Sequence, residues 1–200
     1  MKNNSKALRI SACVTTILFS FFLVWALYLK FGQYSVIYSQ HINLHQFTGY
    51  ERLMIDINPF AISPLHGDPN QARLEIILNG IVTIPLGIAL NTCFKKPSLW
   101  KTLLIGFLFS LAIEITQFCT LIGGFTPSDL IMNTIGCFLG WGIYHIIIKH
   151  LPNKINLTLF TLGNAILIGI LVYAIITVID CKDLLVEIFK ENHLKTIPWK

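Results

Sequence analysis

The chain has 200 residues, 54% of them hydrophobic and only 12% charged, with a mean hydropathy of +0.66 and a formal net charge of +5. Soluble domains carry about 25% charged residues, so most of this chain must lie outside water. The charge calls for no nucleic acid, because much of it is lysine flanking apolar runs, where it meets anionic lipid.

Five stretches, about 10–30, 74–94, 100–122, 129–149 and 157–179, are each apolar over about 20 residues, enough to cross a hydrocarbon core about 30 Å thick. The expected fold is all-α: one integral membrane domain over 1–200 with about five transmembrane helices. The first stretch follows Lys2, Lys6 and Arg9 as a signal peptide would. Its apolar run exceeds the usual signal core of about 7–15 residues and shows no small-x-small cleavage pattern, so it reads as a retained helix.

Residues 31–73 then form an expected external loop containing His41, His45, Glu51, Arg52, Asp56 and His66. The i,i+4 spacing of "HINLH" would suit a metal on a helix, but no third ligand is evident, and the chain carries no other metal or cofactor motif. Lys95, Lys96 and Lys101 lie between the second and third spans, and Lys149 and Lys154 between the fourth and fifth. The "GGFTPS" turn has no Lys or Arg, so the positive-inside rule places it outside and the N-terminus in the cytoplasm. Five spans then leave the tail at 180–200 outside as an interfacial helix, capped by Asp180, with Leu184, Leu185, Ile188 and Phe189 on one face. Its Lys182, Lys190, Lys195 and Lys200 run against that assignment, and its acids nearly balance them. Trp25 with Tyr28, Trp100, and Trp141 with Tyr144 fall towards segment ends, as interfacial aromatics do.

Cysteine usage does not look like a disulfide framework. Cys13, Cys93, Cys119 and Cys137 lie within or at the ends of spans, only Cys181 is clearly outside them, and no CxxC occurs. They read as small apolar fillers.

The informative residues are the polar ones inside the spans. A carboxylate near the centre of a membrane helix costs about 2.5–3.5 kcal/mol on insertion scales. Glu114 should therefore face protein or water, and Gln117, three residues on, shares its helical face. At about 1.5 Å per residue, Glu114 lies about 12 Å and Gln117 about 7 Å below the outer end of the third helix. Glu75 and Asn79 lie in the outer third of the second helix. Asp129 lies at the surface of the fourth, and Asn133 about 6 Å below it. One polar cluster open to the outside is the simplest account, with the inner halves of these helices nearly free of polar groups.

Packing explains part of this pattern equally well. Thr126, Pro127 and Asp129 suit a helix start with a capping box. Gly136 and Gly140 form a GxxxG close-approach motif beside Asn133. Asn79 could simply bond a neighbouring helix, and Pro85 with Gly87 suggests a kink. Glu114 resists such explanations best, because an intramembrane acid is a functional-site candidate by default.

The segments "INPF" at 57–60, "LNGIVTIPLG" at 78–87, "LAIEITQF" at 111–118 and "DLIMNTIGCFLG" at 129–140 together resemble the VanZ-like family over about residues 50–150. The resemblance implies a small helical membrane protein, in a family named for a member linked to resistance to the glycopeptide teicoplanin. It draws attention to Asn58, Pro59, Asn79, Pro85, Glu114, Gln117, Asp129, Asn133 and Gly136. Where family members often carry an Arg and a further Asp before the fourth helix, this chain has Gly123, Gly124 and Thr126.

Two functions of different class follow. In one, Asn79, Glu114, Gln117, Asp129 and Asn133 form an outward-facing pocket for an envelope amphiphile, a membrane lipid or a lipid-linked precursor. In the other, Glu114 is the general acid or base of an intramembrane enzyme with Asp129 as partner. No nucleophilic motif, HExxH or phosphate loop supports the second, and Ser110 and Thr116 beside Glu114 suit helix back-bonding. A non-catalytic assembly scaffold is a third option, and it would need none of the acids.

Overall fold

The computed structural model describes residues 5–28, 69–120 and 127–180. Within them lie five long helices: α1 (Lys6–Leu23, continuing as a π-helical segment Val24–Tyr28), α2 (Pro69–Cys93), α3 (Leu99–Thr120), α4 (Pro127–Ile146) and α5 (Asn153–Asp180). A short 3-10 turn, Ile148–His150, joins α4 to α5. All five helices are long and apolar enough to cross a membrane. The expected all-α architecture of five spans holds, with α2 and α5 starting several residues earlier than the hydropathy edges. The supposed loop at 31–73 loses its last residues to α2, which starts at Pro69; the "HINLH" and "INPF" segments lie outside the described residues. Asp180, expected to cap a separate tail helix, is the last residue of α5, and 181–200 also lie outside them.

Local chemistry explains the helices. Ser5 caps α1 by accepting from Leu8 N at 3.2 Å, which satisfies one of the donors that a helix N-terminus leaves orphaned. Pro127 is the first residue of α4, where its missing N–H costs nothing. In hydrocarbon every polar group needs an internal partner, and several hydroxyls find one in their own helix. Thr16, Ser20, Thr134, Thr158 and Thr161 each donate to the carbonyl four residues back.

The helices form a row in which α4 lies between α3 and α2, and α1 lies between α2 and α5; α3 also touches the π-helical end of α1. The tightest pair is α2 with α4. A Cβ on Gly136 would collide with the Gly80 carbonyl and the Thr83 hydroxyl, and one on Gly140 with the Ile84 carbonyl. Helices associate this closely in lipid through small residues that let backbones meet. Phe19, Leu23, Leu86, Leu90, Cys137 and Leu167 fill the core between α1, α2, α4 and α5. The outer face of α5 is apolar and open, with Leu162, Ile166, Ile168, Val172 and Ile175 exposed, as a lipid-facing helix requires.

Two features differ from the expectations. Cys13 and Cys93 form a disulfide between α1 and α2, so these two are a covalent tie and not apolar fillers. Both face the α1–α2 seam, a proximity that one-dimensional spacing does not reveal; Cys137 is buried and free, as expected of a filler. Of the supposed interfacial aromatics, Trp100 is open, whereas Trp25 and Tyr144 are buried. Trp25 packs with Ala26 against Ala174 of α5.

Candidate functional site

The buried face of α3 carries Thr102, Gly106, Ser110, Ile113 and Glu114, while Leu104, Ile105, Phe107, Leu108 and Ile115 are exposed. Those buried positions recur every three to four residues, so they form one stripe, and a Cβ on Gly106 would meet Cys137 of α4. The stripe therefore faces α4. Glu114 is 2% exposed, which places its carboxyl inside the protein and away from lipid, as its insertion cost demands.

One turn before Glu114, Ser110 Oγ accepts from Asn133 Nδ2 of α4 at 2.9 Å. The main-chain oxygen of Asn133 accepts from Thr83 Oγ1 of α2 at 3.0 Å. Thr83 Oγ1 also lies within bonding distance of the Asn79 and Gly80 carbonyls, both at 3.1 Å. Asn79 itself is buried. A polar chain thus runs from α2 through α4 to α3, with Glu114 one turn beyond its end. Asn133 is buried, and its Oδ1 accepts no hydrogen bond among the described residues, although buried amide oxygens are nearly always paired.

Of the expected site residues, Asn79, Glu114 and Asn133 are buried in this layer. Asp129 lies in the first turn of α4 and is only half-buried, consistent with the helix-start reading. Gln117 lies on α3, one turn past Glu114, and its side chain falls outside the described residues. Ser110 and Thr83 were not expected. Ser110 bonds across to α4 and not back along its own helix, whereas Thr116 does back-bond, to Ala112 O at 2.6 Å. Their signal was register: Ser110 precedes Glu114 by four residues, and Thr83 follows Asn79 by four.

A second polar layer lies nearer the other end of the bundle, where few polar groups were expected. Asn91 Nδ2 donates to Gly87 O and to Thr102 Oγ1, both at 2.8 Å, and Asn91, Thr92 and Thr102 are fully buried. Beside it Arg9 Nε donates to Cys93 O at 3.2 Å, which puts a cation on the carbonyl end of α2. A third polar contact ties α1 to α5: Thr15 Oγ1 donates to Asn164 Oδ1 at 2.7 Å, and Asn164 Nδ2 donates to Ser11 O at 3.2 Å.

Fold and site together define a multi-pass α-helical membrane protein whose central helices enclose an acid-containing polar layer. Comparison with known proteins makes the class specific. The family model described as VanZ/LLP1 matches residues 12–148, and the chain belongs to this VanZ-like family. It is 31% identical over 149 residues to Protein VanZ of Enterococcus faecium, covering 74% of this chain and 88% of that one. No solved structure matches.

Proposed function

We propose that the layer around Glu114 is a binding site, open to the outer leaflet, for an amphiphilic component of the cell envelope, and that through it the protein contributes to tolerance of glycopeptide antibiotics. The observation that carries this reading is a buried carboxyl, 2% exposed, in one layer with an asparagine oxygen that accepts no hydrogen bond among the described residues. An ionisable group buried within a membrane span is costly for a scaffold and useful for recognising a polar head. Membership of a family named for a glycopeptide-resistance protein supplies the physiological context.

The outward orientation rests on Lys95, Lys96, Lys101, Lys149 and Lys154, all at the end of the bundle opposite Glu114. The Cys13–Cys93 bond at that same end pulls the other way, since disulfides persist in oxidising compartments. Five lysines in or flanking two short connections outweigh one bond lying partly within the membrane-embedded helices.

The experiment compares Glu114→Gln and Glu114→Leu in cells exposed to teicoplanin, at matched expression. Glu114→Gln keeps shape and hydrogen bonding while removing the ionisable group; Glu114→Leu removes the ionisable group and the hydrogen bonding together. A binding site that uses the group as a hydrogen-bond partner keeps much of its function with Gln and loses it with Leu. Loss with both substitutions would move the role to the ionisable group and favour acid–base chemistry. A Leu variant that inserts normally and still protects would reduce the layer to helix-packing glue.

A further inference from the structure

At the end of the bundle opposite Glu114, the connection from α2 to α3 borders an open, shallow cavity of about 450 Å³ lined by Phe94, Lys95, Lys96, Lys101, Leu104 and Ile105. Its size falls in the range of about 300–1,000 Å³ usual for small-molecule sites. Three of its six lining residues are lysines, whose stems join Phe94, Leu104 and Ile105 in a mostly apolar wall, and none of the six is acidic.

Two further observations define the occupant. Lys101 sits in the first turn of α3, which carries no acidic residue. A helix N-terminus bears partial positive charge and favours an acid there, so a third lysine at this place is electrostatically unfavourable unless an anion offsets it. The apolar half does not close over the cavity. Leu104 is 56% exposed and Leu108, one turn on, 51%, so an open apolar track runs from the lysines along α3 towards the middle of the membrane. Trp100, 78% exposed beside the lysines, is the kind of side chain that settles at headgroup level.

We infer that the cavity at the α2–α3 connection binds an anionic glycerophospholipid. Its phosphate sits among Lys95, Lys96 and Lys101, and an acyl chain lies along Leu104 and Leu108. The site is separate from the Glu114 layer, and it holds whichever side of the membrane this end occupies, because both leaflets have a headgroup region.

The test uses the full-length protein reconstituted in nanodiscs of phosphatidylglycerol and phosphatidylcholine at equal proportion, with co-extracted lipid counted by native mass spectrometry. The triple variant Lys95→Gln, Lys96→Gln, Lys101→Gln is compared with Lys6→Gln, Lys149→Gln, Lys154→Gln, which removes the same charge from the same end of the bundle. The expected result is a loss of retained phosphatidylglycerol of about fivefold or more in the first, whose three lysines converge on one cavity and add their attractions at a single headgroup, and little change in the second, whose lysines do not line it. Equal losses in both would reduce the effect to diffuse attraction, and no loss in the first would remove the site; either outcome overturns the inference. Wild-type protein gives an independent reading that needs no variant to fold. Photoactivatable phosphatidylglycerol should crosslink within residues 94–108, and crosslinks spread evenly over the helix ends would refute the assignment.

Discussion

At one end of the bundle α2, α3 and α4 bury Asn79, Thr83, Ser110, Glu114 and Asn133; towards the other, α2 and α3 bury Asn91, Thr92 and Thr102. Both layers contain amides and hydroxyls that cross-link helices, and both leave one asparagine Oδ1, of Asn133 or Asn91, without a partner among the described residues. They differ in charge and in support. Only the first contains a carboxyl. Among the described residues, only the second lies beside a covalent tie, Cys13–Cys93, and a cation on a helix end, Arg9. The ionisable group lies where the helices are joined by hydrogen bonds and close packing, and the neutral layer lies where a disulfide locks the fold.

The largest expected effect tests the lock. The disulfide joins residues 80 apart in sequence, and bonds of this kind contribute about 2–4 kcal/mol, chiefly by restricting the unfolded chain. Cys13→Ser, or reduction of the wild type, should lower the thermal unfolding midpoint of the detergent-solubilised protein, with the two treatments giving the same shift and no additive effect. An unchanged midpoint would mean that α1 is held to α2 by side-chain packing, and the contrast in support between the ends would disappear.

Gly136→Val should come next, at about 1–3 kcal/mol, because its side chain must push away the α2 backbone at Gly80 and the Thr83 hydroxyl. The damage should fall on the acid-bearing layer. In that variant, hydrogen exchange at the 79–83 and 133–136 amides should accelerate more than exchange around Asn91. Uniform acceleration would show that the layers are one cooperative unit.

Asn133→Ala removes the bond to Ser110, an interhelical hydrogen bond of the kind worth about 0.6 kcal/mol and at most about 1.7 in membrane bundles. Stability should change by no more than that, while antibiotic protection falls well below what the stability loss explains. Protection that merely tracks the amount of folded protein would make Asn133 a packing residue.

Much of this was legible in the sequence, for physical reasons. Hydropathy over about 20 residues must reveal spans because the bilayer sets their length, and the insertion cost of Glu114 forces it inwards whatever the partners. Gly136 and Gly140 mark a close approach because nothing larger fits. What escaped was pairing between helices distant in sequence. Cys13 with Cys93, Thr15 with Asn164, and Asn91 with Thr102 each look inert alone, since a threonine, asparagine or cysteine in an apolar run has an equally good local explanation. Only the rotation of each helix about its axis decides which of them meet, and hydropathy carries little information about rotation when a helix is apolar nearly all round, as α5 is.

The smallest expected effect decides most about the comparison. In Asn91→Leu with Thr102→Val, the cross-helix bond is lost, but so is an amide oxygen that is fully buried and without a hydrogen-bond partner among the described residues. Replacing both partners by apolar groups of similar shape is close to neutral, so the unfolding midpoint should move by less than the equivalent of about 1 kcal/mol in either direction. Teicoplanin protection should stay at the wild-type level, because this layer contains no acid and is assigned no ligand. The result has to be read beside Glu114→Leu, which also trades a buried polar group for an apolar one yet should abolish protection. If the neutral-layer double variant inserts, melts normally and still loses protection, function passes through both ends of α2 and α3, and a binding site confined to the Glu114 layer is the wrong description.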